Sequence, residues 1–198
     1  MKKLCLMFAV ILTVLLTACG EMSQQDVVDK LKSNLKDNKS YYATGSMEVN
    51  NSGYVYQYGV EVIYQKDNKY KVILNNVTTN NEQIILKNDE GVSILTPALN
   101  KEFKFQSDWP LSSSQVYLYQ SLITDILNDT EAVFEATDDV YIFETKANYP
   151  RNRDLVYQRI TFDKKELTPI EVYVVDSKGE LGISMKFLSF GYDSKLSI

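Results

Sequence analysis

The stretch YVYQYGVEVIYQ, residues 54–65, decides the fold. Tyr54, Tyr56, Tyr58, Val60, Val62 and Tyr64 recur at a period of two, and Gln57, Gly59, Glu61 and Gln65 take the alternate places. Successive side chains on a strand point to opposite faces, so this pattern predicts a half-buried antiparallel strand with an aromatic inner face. Lys66-Asp67-Asn68-Lys69 is a turn sequence, and Tyr70, Val72 and Leu74 carry the same face onto the next strand.

Similar segments lie on both sides. Residues 42–49 precede the stretch, and residues 82–87, 92–96 and the run around Phe103 and Phe105 follow it. Further on, residues 131–136, 141–147, 155–162, 169–175 and 181–190 also have strand character. In the last of these, Leu181, Ile183, Met185 and Phe187 alternate with Gly182, Ser184, Lys186 and Leu188. The total is about eleven strands, joined by polar turns such as Asp163-Lys164-Lys165 and Asp176-Ser177-Lys178-Gly179.

Two segments change to helical spacing. Ser23 and Asp26 form an N-cap and its acidic partner, and Val27, Val28, Leu31 and Leu35 make one apolar stripe ending near Lys36. Ser112 and Gln115 predict a second helix up to Asn128, with Val116, Tyr119, Leu122, Ile123, Ile126 and Leu127 on its apolar face. Asp125 is the only charged residue between Pro110 and Asn128, so this helix is expected to be well buried or to lie over an apolar surface.

A twisted sheet rarely stays open and flat beyond ~10 strands. The chain is therefore expected to be α+β: an antiparallel half-barrel of about eleven strands, with the N-terminal and mid-chain helices covering its concave face. It contains no repeat of 20–50 residues, no low-complexity tract and no linker, which predicts one folded domain.

Composition narrows the chemistry. There is no histidine among the 198 residues, which removes the commonest general base and the commonest zinc ligand. The net charge of −5 disfavours nucleic acid as a partner. No Gly-rich phosphate loop occurs. Asp138-Asp139 sits between two strands and reads as a solvated turn, and Ser112-Ser113-Ser114 has no histidine to activate a nucleophile. Neither an enzyme nor a cofactor is expected.

The N-terminus carries an address. Lys2 and Lys3 precede the apolar run Leu4 to Leu16, and Leu16-Thr17-Ala18-Cys19 follows. The apolar run has the length of a signal-peptide core and is short for a bilayer of ~30 Å. The ending resembles the bacterial lipobox, in which diacylglycerol joins the cysteine thiol and the preceding segment is removed. The resemblance implies a signal peptide over residues 1–18, lipidation at Cys19, a tether over residues 19–25 and a domain over residues 26–198. Cleavage would remove Lys2, Lys3 and no acid, taking the charge from −5 to −7. It would also remove Cys5, so no disulfide is expected. A protein anchored this way would sit on the extracytoplasmic face of a cell membrane.

The order of these parts resembles the LolA/LolB/RseB superfamily of half-barrel proteins, and its Gram-positive members in particular. The similarity is strongest in residues 95–127, where Thr96-Pro97-Ala98-Leu99-Asn100-Lys101-Glu102-Phe103-Lys104-Phe105 is followed by Trp109-Pro110 and then Ser113-Ser114-Gln115-Val116-Tyr117-Leu118. The resemblance implies a scaffold that holds acyl chains, or the lipidated N-terminus of another lipoprotein, against its concave face. The expected lining is Tyr54, Tyr56, Tyr58, Tyr64, Tyr70, Phe103, Phe105, Trp109, Tyr119, Ile123, Met185 and Phe187. Tyrosine suits such a lining because its ring meets apolar chains while its hydroxyl finds water or a headgroup. The alternative is an RseB-like module that binds or senses protein partners in envelope regulation or sporulation. A monomer is expected in either case.

Overall fold

The computed structural model describes residues 21–38, 40–51, 53–105, 114–149 and 154–193. Helix α1 (Gln24–Asp37) leads into a first meander: β1 (Ser40–Asn51), β2 (Tyr54–Gln65), β3 (Lys69–Asn76), β4 (Glu82–Asn88), β5 (Gly91–Thr96) and β6 (Lys101–Lys104). A single 3-10 turn (Pro97–Leu99) joins the last two. Helix α2 (Tyr119–Asn128) precedes a second meander: β7 (Val133–Ala136), β8 (Val140–Lys146), β9 (Leu155–Asp163), β10 (Pro169–Asp176) and β11 (Leu181–Tyr192).

All eleven strands belong to one antiparallel sheet in the order β6-β5-β4-β3-β2-β1-β11-β10-β9-β8-β7. Within each meander, every strand pairs with its sequence neighbour. The two meanders meet where β1 pairs with β11. The sheet stays open, with β6 and β7 at its edges, so the expected α+β half-barrel is the architecture found. Among the described residues, no helix is long and apolar enough to cross a membrane.

The first helix starts as its sequence dictates. The Asp26 N–H donates to Ser23 Oγ at 3.3 Å, and the Ser23 N–H donates to Asp26 Oδ2 at 3.0 Å. Two backbone donors that have no partner inside the helix are thereby satisfied. The Ser23 hydroxyl, donating to Asp26 Oδ2 at 2.6 Å, and then the Ser23 N–H hold the Asp26 carboxyl below its ordinary range. Val27, Val28 and Leu31 are buried, and Leu35 packs partly buried against the core.

The second helix differs from the expectation. It begins at Tyr119 rather than near Gln115, and Ser112 lies outside the described residues. Gln115 sits in a turn, where its carbonyl accepts from the Leu118 N–H at 3.1 Å. Leu118, the N-cap, supplies no side-chain bond. The hydroxyl of Tyr41 on β1 instead accepts from the Tyr119 N–H at 3.1 Å and donates to Gln120 Oε1. A tertiary contact therefore fixes this helix start, which local sequence could not reveal. The sixth strand is also shorter than expected: Phe105 falls just past it, although its N–H still bonds the Val92 carbonyl at 2.9 Å.

Tyr119, Leu122, Ile123 and Ile126 of α2 join Val27 and Leu31 of α1 against Tyr41, Val62, Val72, Ile160, Phe162 and Met185 of the sheet. Burying one such aliphatic side chain contributes roughly 2 kcal/mol. Among the described residues, the buried apolar side chains all lie between Val27 and Met185, so a chain beginning at Gly20 contains this core.

One irregularity re-aims the end of β11. Thr44 pairs with Ser189 while Gly45 pairs with Phe187, so Leu188 is an extra residue and stands 75% exposed. A strict period of two would turn Phe190 outward. The bulge restores its inward direction, and Phe190 stacks on Tyr41 with centroids 5.1 Å apart.

Candidate functional site

The strand register defines rows of residues across the concave face. One row runs Phe143, Ile160, Val172, Met185, Met47, Tyr58. The next runs Thr145, Gln158, Val174, Ile183, Val49, Tyr56. Burial decreases along both in the same direction. The β8–β10 members are buried, Ile183, Val49 and Tyr58 are half-buried, and Tyr56 is 43% exposed. The face is therefore open where β1 ends and β2 begins, whereas Val60, Val62, Val72 and Ile85 further along the first meander are buried like the second. Val49, Tyr56, Tyr58, Leu74 and Ile183 form an apolar patch there, continuous with the core.

The expected lining residues divide between three environments. Tyr64, Tyr70, Tyr119, Ile123 and Met185 are buried between sheet and helices. Tyr119 packs edge-on to Tyr41 and Phe162, and its hydroxyl donates to the Leu167 carbonyl at 3.0 Å. Burial pushes that hydroxyl far above its ordinary pKa. A ligand can meet these five side chains only if the helices move. Tyr58, Phe105 and Phe187 are half-buried, whereas Tyr54, Tyr56 and Phe103 stand exposed. Cys19 and Trp109 lie outside the described residues.

A polar cluster that sequence reasoning missed lies under α2. Asp125 faces the sheet at 7% exposure, and its Oδ2 accepts from Gln158 Nε2 at 2.7 Å. Gln158 Nε2 also lies 3.3 Å from Thr145 Oγ1, and the Ser114 hydroxyl is a further partner of the carboxyl. Burial raises the Asp125 pKa to about 6, with the Gln158 and Ser114 bonds opposing the rise. The available signal was a lone charge within an apolar helix. Asp138 and Asp139 are exposed, as expected of a solvated turn. Among the described residues, no three His, Cys, Asp or Glu side chains gather to hold a metal ion.

An open eleven-stranded sheet, helices across its concave face and an uncovered apolar end define an antiparallel half-barrel. Its likeness to solved structures is one of fold. The chain superposes with a TM-score of 0.58 on an uncharacterized conserved protein from Thermus thermophilus, at 11% identity, over 88% of this chain and 90% of that one. It superposes with a TM-score of 0.51 on a chain of the Pseudomonas aeruginosa MucA/MucB complex, at 12% identity, over 87% and 59% of the respective chains.

The family itself is shown by sequence. The family model described as "Sporulation protein YdcC-like" matches residues 1–197, and the chain belongs to that family. It is 42% identical over 200 residues to the sporulation protein YdcC of Bacillus subtilis (strain 168), an alignment covering 98% of this chain. The chain spans 59% of the length of that curated relative.

Proposed function

We propose that this chain is a lipid-anchored extracytoplasmic lipoprotein without enzymatic activity. In this reading it holds acyl chains, or the lipidated N-terminus of another protein, against the open end of its concave face. Residues 1–18 are the signal peptide, Cys19 carries the lipid, residues 19–25 are the tether and residues 26–198 are the domain. The observation that carries the reading is the patch of Val49, Tyr56, Tyr58, Leu74 and Ile183, which extends the apolar core to solvent. Acyl chains bind such a surface because each buried CH₂ contributes roughly 0.8 kcal/mol. Membership of a sporulation family supports a role in the cell envelope of a spore-former.

A fluorescent fatty acid tests this with the chain from Gly20 onward. Tyr56→Asp is expected to weaken probe binding at least tenfold, because it places a charge on the patch at a position that is already 43% exposed. Tyr157→Asp, on the opposite face of the sheet, should leave binding unchanged. No lipid in native mass spectra, together with no probe shift for the parent chain, would refute the reading. The search would then turn to a protein partner. That reading is favoured by the burial of Tyr119, Ile123 and Met185, because the helices already fill the covered part of the face.

A further inference from the structure

In an antiparallel meander every second turn falls at the same end of the sheet. The β1–β2, β3–β4 and β5–β6 connections therefore lie side by side along one rim. The sequence of this rim is unusual. Residues 49–60, 72–81 and 91–100 contain no Asp, Glu, Lys or Arg, in a chain with 24% charged residues. At that average the three runs would carry about eight charges. The connections at the other end of the same strands are Lys66-Asp67-Asn68-Lys69 and Asn88-Asp89-Glu90. At the rim end the turns themselves are free of charge, and Glu82 and Lys101, the first residues of β4 and β6, mark their borders.

The uncharged tips also present apolar side chains to solvent. Tyr54 is 71%, Val55 59%, Val77 65% and Leu99 63% exposed. These residues stand among Asn51, Gly53, Asn75, Asn76, Thr78, Thr79, Asn80 and Asn100. Asn76 Oδ1 accepts from the Thr78 and Thr79 N–H groups at 3.0 and 2.9 Å, so the β3–β4 tip satisfies part of its own backbone. Tyrosine and aliphatic side chains carried on neutral polar turns match the composition of a membrane–water interface. A charged tip would have to lose its hydration there, which is costly.

We infer that this three-hairpin rim is a lipid-contacting surface that seats the open end of the half-barrel on the interface of a neutral bilayer. The inference rests on the proposed function and gives it a route. Val49, Tyr56 and Ile183 of the apolar patch lie at the rim end of their strands, so an acyl chain would pass from bilayer to patch without crossing water. The rim is separate from the proposed anchor. Glu21, two residues beyond Cys19, pairs with Lys164 at 3.1 Å, in the β9–β10 turn at the other end of the strands. The occupant is a neutral lipid interface rather than an anionic one, because the three turns carry no charge, Lys101 and Glu82 at their borders offset one another, and the chain carries net charge −5.

Vesicle flotation of the chain from Gly20 onward, which lacks the lipid anchor, tests the rim directly. The parent chain should float with phosphatidylcholine vesicles. A triple variant, Val55→Ser, Val77→Ser and Leu99→Ser, should partition at least tenfold less. All three positions are exposed, and none lies in the patch, so the variant should fold and bind the fatty-acid probe as the parent does. The inference is overturned if the parent stays in solution, if the triple variant floats as well as the parent, or if flotation requires anionic phosphatidylglycerol. A parent that ignores vesicles but is retained by a purified protein partner also overturns it. Flotation without any probe binding would instead sink the acyl-chain reading and leave the rim standing.

Discussion

Gly45→Ala is expected to lower the stability of the domain by ~3 kcal/mol, a shift of roughly 6–12 °C in Tm for a domain of this size. Gly45 sits on β1 at the bulge opposite β11. A Cβ built there would lie 2.3 Å from the Lys186 carbonyl oxygen and 2.5 Å from Met185 Cε. The methionine tip can swing aside. The carbonyl is backbone within the β1–β11 ladder, and moving it would break the pairing that holds the two meanders together. Thermal denaturation followed by circular dichroism measures the effect. A variant melting within about 2 °C of the parent would show that the ladder yields more readily than close packing allows.

Asp125→Asn is expected to act in the opposite direction, raising stability at pH 7 by up to about 3 kcal/mol. The folded pKa of Asp125 is raised from 3.8 to about 6. The stabilising contribution of its neutral form is therefore fully present below pH 3.8, declines between there and about 6, and is lost at higher pH. At neutral pH the ionised carboxylate is held among Gln158, Thr145, Ser114 and Tyr149, none of which carries a positive charge. Asparagine has the same shape and no charge. Its oxygen can accept from Gln158 Nε2, and its amide N–H can serve Gln158 Oε1, which has no partner among the described residues. Urea denaturation at pH 5 and pH 7.5 separates the contributions. The parent should lose stability between the two values by more than the variant does. Equal losses would mean that Asp125 does not titrate in this range.

The strands were legible because their environment repeats. In residues 54–65 each second side chain points to one face of the sheet, which is buried from Val60 to Tyr64, and alternation records that direction. The cap of α1 was legible because Ser23 and Asp26 satisfy each other locally. What could not be read depends on contacts between distant residues. The start of α2 is set by Tyr41, which is 78 positions away from Tyr119. The inward turn of Phe190 requires an extra residue at Leu188, and alternation alone does not mark a bulge. Asp125 stood out as a lone charge, but its burial depends on Gln158 coming from another strand.

The candidate site was legible as a composition and not as a place. Tyr54, Tyr56, Tyr58 and Tyr64 share one sheet face, as their spacing requires. Yet they range from 71% exposed at Tyr54 to buried at Tyr64 along a single strand. Periodicity gives the direction of a side chain, while coverage depends on where the helices end. The uncharged rim was present in the sequence as three separate runs, and only the topology shows that they are neighbours.

The strand order has a consequence for how the chain assembles. Ten strand pairings hold the sheet, and nine of them join strands that follow one another in sequence. Those nine close short loops. The tenth, between β1 and β11, joins Tyr41 to Tyr192 and must close about three quarters of the chain. Loop closure becomes costlier in entropy as the loop lengthens, so the meanders have reason to form first and the seam afterwards. Contacts made after the rate-limiting step govern unfolding more than folding. The Gly45→Ala lesion, which sits in that seam, should therefore appear mainly as a shorter lifetime of the native state, with the two halves of the sheet still able to zip up at close to their usual rate.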